Sequence, residues 1–196
     1  QGGTMPQRRP ERNPTGPKTL DFCKETHIPL CRRALSGRGY EDGTSAVGNK
    51  VEMFKRHAKG EEEERASLGK TAAMAADSGF NHLVQAMLPR LLTGEAIPFQ
   101  FAVAGQLTGY KFKIAKVGAG LFEGKPTVKL LVQANSLPRY IAPDLQLQYD
   151  AATKRLLEYK GVSNVHDPAT GKAYNARIAY FSAPPADAPK NLPPLR

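Results

Sequence analysis

LQLQYDAATKRLLEYKGVSNVHDPATGKAYNARIAY, residues 145–180, reads as three β-strands joined by two tight turns. Leu145, Leu147 and Tyr149 alternate with Gln146, Gln148 and Asp150, the period-two pattern of a strand with one buried face. Asp150 to Thr153 supplies the first turn and Asp167 to Gly171 the second. Asp side chains bond the backbone ahead of them, while Pro and Gly pre-set turn dihedrals. Strands joined by such short connections pair antiparallel, so this stretch predicts a meander.

The same period runs upstream. Strands are predicted at 98–104, 109–117, 126–134, 140–149, 155–160 and 173–181. One face carries Phe99, Phe101, Tyr110, Phe112, Leu130, Val132 and Leu147, and the other carries Gln100, Lys111, Lys113, Lys129 and Gln148. Before residue 98 the period changes to 3.6. Phe80, Leu83, Val84, Met87, Leu88, Leu91 and Leu92 make one helical stripe over about 78–93. Asp77 or Ser78 is the expected N-cap and Gly94 the C-cap. Pro89 lacks the donor an interior helical residue needs, so a kink or break is expected there. A long sheet with a single apolar face must curl or be covered, and this helix is the available cover. The predicted fold is mainly β, of α+β type: a curved antiparallel half-barrel meander with one packed helix.

Earlier strands are expected at 19–23 and 49–56, with Gly37, Gly39 and Gly43 breaking the chain between them. Residues 59–76 are charged and then small, and Glu61 to Glu64 read as a solvated loop or frayed helical turn. Residues 1–17 form an arm rich in Pro and Arg, and 183–196 form a Pro-rich tail. Neither carries enough apolar surface to offset ordering. One domain, 18–182, lies between them.

The net charge of +10 is scattered, with lysines at outward strand positions. Such lysines solvate a sheet and discourage edge pairing. Aromatic residues that would stack bases are not interleaved with them, so no specific nucleic-acid partner is expected. No run approaches the roughly 18 apolar residues of a membrane-spanning helix.

Chemistry is sparse. Cys23 and Cys31 are the only cysteines, eight positions apart. They admit a disulfide, which leads, or reduced thiols, or with His27 half of a zinc site that lacks a fourth ligand. His27, His57, His82 and His166 form no HExxH-like spacing and read as structural or solvated. Gly118-Ala-Gly120 precedes a strand, not a helix, so a phosphate-loop reading fails on context. No catalytic residue, metal ligand or cofactor is nominated.

Certain motifs resemble a known group. ADSGFNHLVQAMLPRLLTGEAIPFQFAVAGQL, residues 76–107, is similar to the middle of an uncharacterised bacterial family of predicted exported proteins. There an Asp-x-Gly-Phe leads a helix, Leu-x-x-Gly-Glu ends it and a Phe-x-Phe strand follows; Asp77, Gly79, Phe80, Leu91, Gly94, Glu95, Phe99 and Phe101 match. KTLDF (18–22), GRGYEDG (37–43) and the closing hairpins resemble the same family, while the amino end and the cysteines depart from it. At the level of fold the layout looks like the half-barrels of lipoprotein carriers such as LolA and LolB.

The resemblance implies a periplasmic or otherwise exported protein of the bacterial envelope. The expected function is non-catalytic binding of a hydrophobic or amphipathic, lipid-like ligand between helix and sheet. The expected lining is Phe99, Phe101, Tyr110, Phe112, Leu130, Val132, Leu147 and Met87. The alternative is an interaction or structural module with a closed core, engaging an envelope protein partner through sheet edges or tails.

Overall fold

The strand pattern read from the sequence becomes two sheets, not one. The computed structural model describes residues 3–5, 18–21, 26–35, 39–135, 143–167, 172–186 and 188. The first sheet is antiparallel and follows chain order: β1 (Gly3–Met5), β2 (Lys18–Asp21), β3 (Leu30–Leu35), β4 (Tyr40–Val47), β5 (Lys50–Arg56) and β6 (Glu64–Gly69). The second contains β7 (Met74–Ala76), β8 (Ile97–Val103), β9 (Thr108–Phe122), β10 (Lys125–Ala134), β11 (Leu145–Tyr149), β12 (Leu156–His166) and β13 (Ala173–Ala179), again in chain order. β7 pairs parallel to β8 because helix α1 (Gly79–Leu92) makes the crossover between them. The other pairs are antiparallel, so the predicted meander stands from β8 onward.

The differences from expectation have local causes. Gly43 does not break the chain but lies within β4, opposite Arg32 and Phe54. A Cβ there would stand 2.2 Å from the Cys31 carbonyl oxygen, so glycine permits this close approach. Glu64 opens a strand rather than a loop, and its carboxylate lies 3.3 Å from the Lys55 ammonium on β5. β9 runs through Gly118 and Gly120, and a register shift between Lys129 and Leu130 absorbs the extra residue. Of the expected strand 19–23, residues 22 and 23 lie outside the described residues, as do 140–142 of the strand expected at 140–149.

α1 forms where the stripe predicts. Leu83, Val84, Met87, Leu88 and Leu91 are buried against Ile97, Ile114, Val128, Leu130, Val132, Leu147 and Tyr149 of the sheet. Pro89 stays inside the helix near its end and faces outward, where water can satisfy the freed carbonyl. Ser78 stands at the N-cap without a side-chain cap bond. Its N–H and hydroxyl instead donate to the Asp77 carboxylate. Gly94 takes φ +93° just beyond the C-cap, and its N–H reaches the Leu91 carbonyl.

A second core of Ile28, Val51, Met53, Met74, Ala76 and Ala102 joins the two sheets. Alternation within β7 explains the layering. Ala75 points into the helix core, while Met74 and Ala76 point into the second core. β7 and β8 are thus a middle layer between α1 and the first sheet.

Candidate functional site

α1 does not cover the whole apolar face. Where it starts, the inward side chains of the second sheet line a half-open cleft of about 750 Å³. Phe99 and Phe101 come from β8, Tyr110 and Phe112 from β9, and Val132 from β10. Leu145, Leu156, Tyr159 and Ile178 extend the wall across β11 to β13. Period-two alternation and strand register place these residues on one face, and the register shift opposite Gln148 and Tyr149 brings Leu156 to the same side as Tyr159, three positions on.

The aromatic rings pack on one another. Phe99 stacks on Phe112 with centroids 5.5 Å apart, and Phe80 of α1 meets Phe99 at 5.8 Å and Phe101 edge-on at 5.9 Å. Tyrosine hydroxyls around the cleft are held by the protein itself. Tyr110 donates to Gln106 Oε1, Tyr159 to the Val162 carbonyl, and Tyr149, beneath the cleft, to Asn81 Oδ1 at 2.8 Å. Burial pushes the Tyr149 and Tyr159 phenols above their ordinary pKa.

The opposite wall is polar and comes from the first sheet, the 3-10 turn Ala104–Gln106 and the start of α1. Arg33 on β3 and Asp42 on β4 are direct cross-strand partners. Arg33 Nε donates to Asp42 Oδ1 at 3.0 Å, and Nη2 donates to Oδ2. The Tyr40 hydroxyl donates to the same Oδ2 at 3.0 Å. Burial alone would lower the Arg33 pKa, but the bonds and charge of Asp42, helped by Tyr40 and Asp77, raise it above its ordinary value. Burial, then the charge of Asp42, pushes the Tyr40 phenol up to about 12.

Five of the eight expected lining residues, Phe99, Phe101, Tyr110, Phe112 and Val132, reach the cleft. Met87, Leu130 and Leu147 do not. They are 5%, 0% and 2% exposed in the core under α1, because the helix fills the space above them. Phe80, Tyr159, Ile178 and the Arg33–Asp42 pair line the cleft without having been singled out for it. Phe80 counted as part of the helical stripe, and the glycines around Arg33 and Asp42 masked the strands that carry them.

Cys31 is buried on the cleft wall, whereas Cys23, and so the expected disulfide, lies outside the described residues. His57 lies 3.1 Å from Glu64, away from the cleft. Among the described residues no group of three or more His, Cys, Asp or Glu side chains is placed to hold a metal. Lys111, Lys113 and Lys129 are exposed on the other face, as their alternation predicts. Compared with family profiles, with curated proteins and with solved structures, the chain matches none.

Proposed function

We propose that the protein binds a hydrophobic or amphipathic, lipid-like ligand in this cleft and does no chemistry on it. The observation that carries the reading is the aromatic wall of Phe80, Phe99, Phe101 and Phe112, which borders about 750 Å³ of unfilled space. That volume lies within the range of roughly 300–1,000 Å³ usual for ligand sites. Ile178 and Tyr180, 40% and 46% exposed, give the mouth an apolar rim. An interaction module with a closed core expects α1 to fill this face, so the open cleft favours the ligand reading. The envelope location proposed with it rests on the resemblance to exported proteins.

Native mass spectrometry before and after organic extraction tests the proposal, with displacement of N-phenyl-1-naphthylamine as a second readout. Phe101 is half-buried and packs against the edge of the helix core from the cleft side, so Phe101→Asp is compared with the parent once circular dichroism shows the variant folded. It should weaken probe binding about tenfold or more, the scale of one lost aromatic contact. Unchanged affinity in the folded variant would refute the assignment.

A further inference from the structure

We propose that β13 is a self-pairing edge, through which two copies of the chain join antiparallel into one continuous sheet. β13 ends the second sheet, and its seven residues are exposed or half-buried. The opposite end of that sheet, β7, is fully buried and offers no such edge. The chain leaving β13 does not lie along the edge either. Phe181 and Ser182 turn back over the sheet to Phe122 and Glu123. β13 also lacks the usual guards of an edge strand. It holds no Pro, and the irregularity in its pairing with β12 falls between Val162 and His166 of β12. Its one charged side chain, Arg177, is compensated within the copy, since Nε donates to Glu158 Oε2 at 2.7 Å.

The backbone limits the registers open to a second copy. The Tyr180 N–H donates to the Leu157 carbonyl at 2.9 Å, and the Lys172 carbonyl accepts from the Asp167 N–H at 2.8 Å. Bonds of an antiparallel ladder fall on alternate residues, so the even-numbered residues of β13 bond to β12. The N–H and C=O groups of Ala173, Asn175, Arg177 and Ala179 therefore turn to the outer edge. A self-pair must set these odd-numbered residues opposite one another. Centred on Arg177, it would bring two guanidiniums face to face, which is destabilising. Centred on Asn175, it would leave Tyr174 against Ala176. Centred on Ala176, it sets Tyr174 opposite Ile178 and Asn175 opposite Arg177.

That last register is complementary on both faces. Tyr174 and Ile178 are 44% and 40% exposed, and an aromatic side chain beside a β-branched one is a favourable cross-strand pair. On the other face, the N–H groups of Arg177 not used by Glu158 can donate to the Asn175 amide oxygen of the second copy. The contact is isologous, so each copy uses its edge once and assembly closes at the dimer. Ile178 also lines the cleft, so Tyr174 of the second copy extends the rim of the binding site. The pairing itself does not depend on what the cleft holds.

Sedimentation velocity over a concentration series tests the proposal. A seven-residue edge makes a small contact of the transient class, so the series extends to high protein concentration. Each copy carries +10, and about 0.15 M salt, with a Debye length of about 8 Å, screens the repulsion between copies. The parent should pass from monomer to dimer. Asn175→Pro removes an outward N–H and no bond to β12, so it should fold and weaken dimerisation about tenfold or more. Asn175→Arg should also weaken it, by setting like charges opposite, while Asn175→Glu should tighten it. A parent that is monomeric throughout, or a folded Asn175→Pro that dimerises as well as the parent, would overturn the proposal. If Asn175→Pro does not fold, equal dimerisation of Asn175→Arg and Asn175→Glu would do the same.

Cross-linking tests the register. At the centre of the pair, the two copies of position 176 stand about 4.5 Å apart between Cα atoms, within reach of a disulfide. Under mild oxidation Ala176→Cys should link two copies through that position, as read by peptide mapping. Ala179→Cys lies about 20 Å from its counterpart in this register and should not link. Equal cross-linking of the two variants would overturn the register.

Discussion

Tyr40 couples the polar wall to pH. Its hydroxyl donates to Asp42, and burial, then the charge of Asp42, raises its pKa from 10.0 to about 12. Below pH 10 the phenol is protonated in folded and unfolded chains alike, and its contribution to stability is fully present. Between about 10 and 12 the unfolded chain has released the proton while the folded one retains it, so stability falls as pH rises. Burial of Tyr149 adds to the same slope. Tyr40→Phe should cost about 0.5–1.5 kcal/mol at neutral pH, the worth of one hydrogen bond. The urea midpoint of that variant should then decline less steeply than the parent's between pH 10 and 12; parallel declines would contradict the shift. Leu130 shows how far residue-scale reading reaches. Alternation correctly puts it on the inward face, but whether an inward residue meets a ligand or a helix depends on where α1 ends. The 3.6 period gives the helix a face and a length, not a position along the sheet.

At the scale of elements, the pattern was most legible where one face is wet and the other dry. β8 to β13 and α1 meet that condition, and their alternation or stripe is visible. β7 does not: Met74, Ala75 and Ala76 are all buried, one face under α1 and the other on the first sheet, so no alternation marks the strand. β6 is obscured for the opposite reason, because its stability comes from pairing with β5 while its own side chains are largely exposed or half-buried. One tie between elements left no periodic signal at all. Phe181, just past β13, stacks on Phe122 at the end of β9, with centroids 5.2 Å apart, and the Ser182 hydroxyl donates to Glu123 at 2.7 Å. Three strands separate β9 from β13, so the contact braces that end of the sheet across its neighbours. Phe181→Ala should lower stability by about 0.5–1.5 kcal/mol, the worth of an aromatic pair. It should also speed hydrogen exchange at the β9–β10 turn. Exchange unaltered at that turn would mean the stack holds nothing in place.

At the scale of the molecule, the cleft exists because two sheets meet at β7 and β8 while the helix covers only part of the second. The sequence shows the aromatic wall as alternation in 98–112. The polar wall is visible only once β3 and β4 are placed beside the start of α1, which is a matter of tertiary packing. The same arrangement makes the two cores interdependent. Met53 is 1% exposed in the second core, where it belongs to the cluster containing Met74, Ala76 and Ala102. Met74 and Ala76 sit on the strand that also sends Ala75 into the helix core. Truncation by Met53→Ala removes buried methylenes and leaves a cavity, at a cost of about 2–5 kcal/mol. If the middle layer couples the cores, the loss is felt across the whole unit. The slowest-exchanging amides of α1 and β10 should then lose as much protection as those of β4 and β5, since all of them open through the same global transition. Loss confined to β3 to β6 would instead identify the first sheet as a separate unfolding unit. The cleft wall bearing Arg33 and Asp42 would then be able to open while the aromatic wall stays folded.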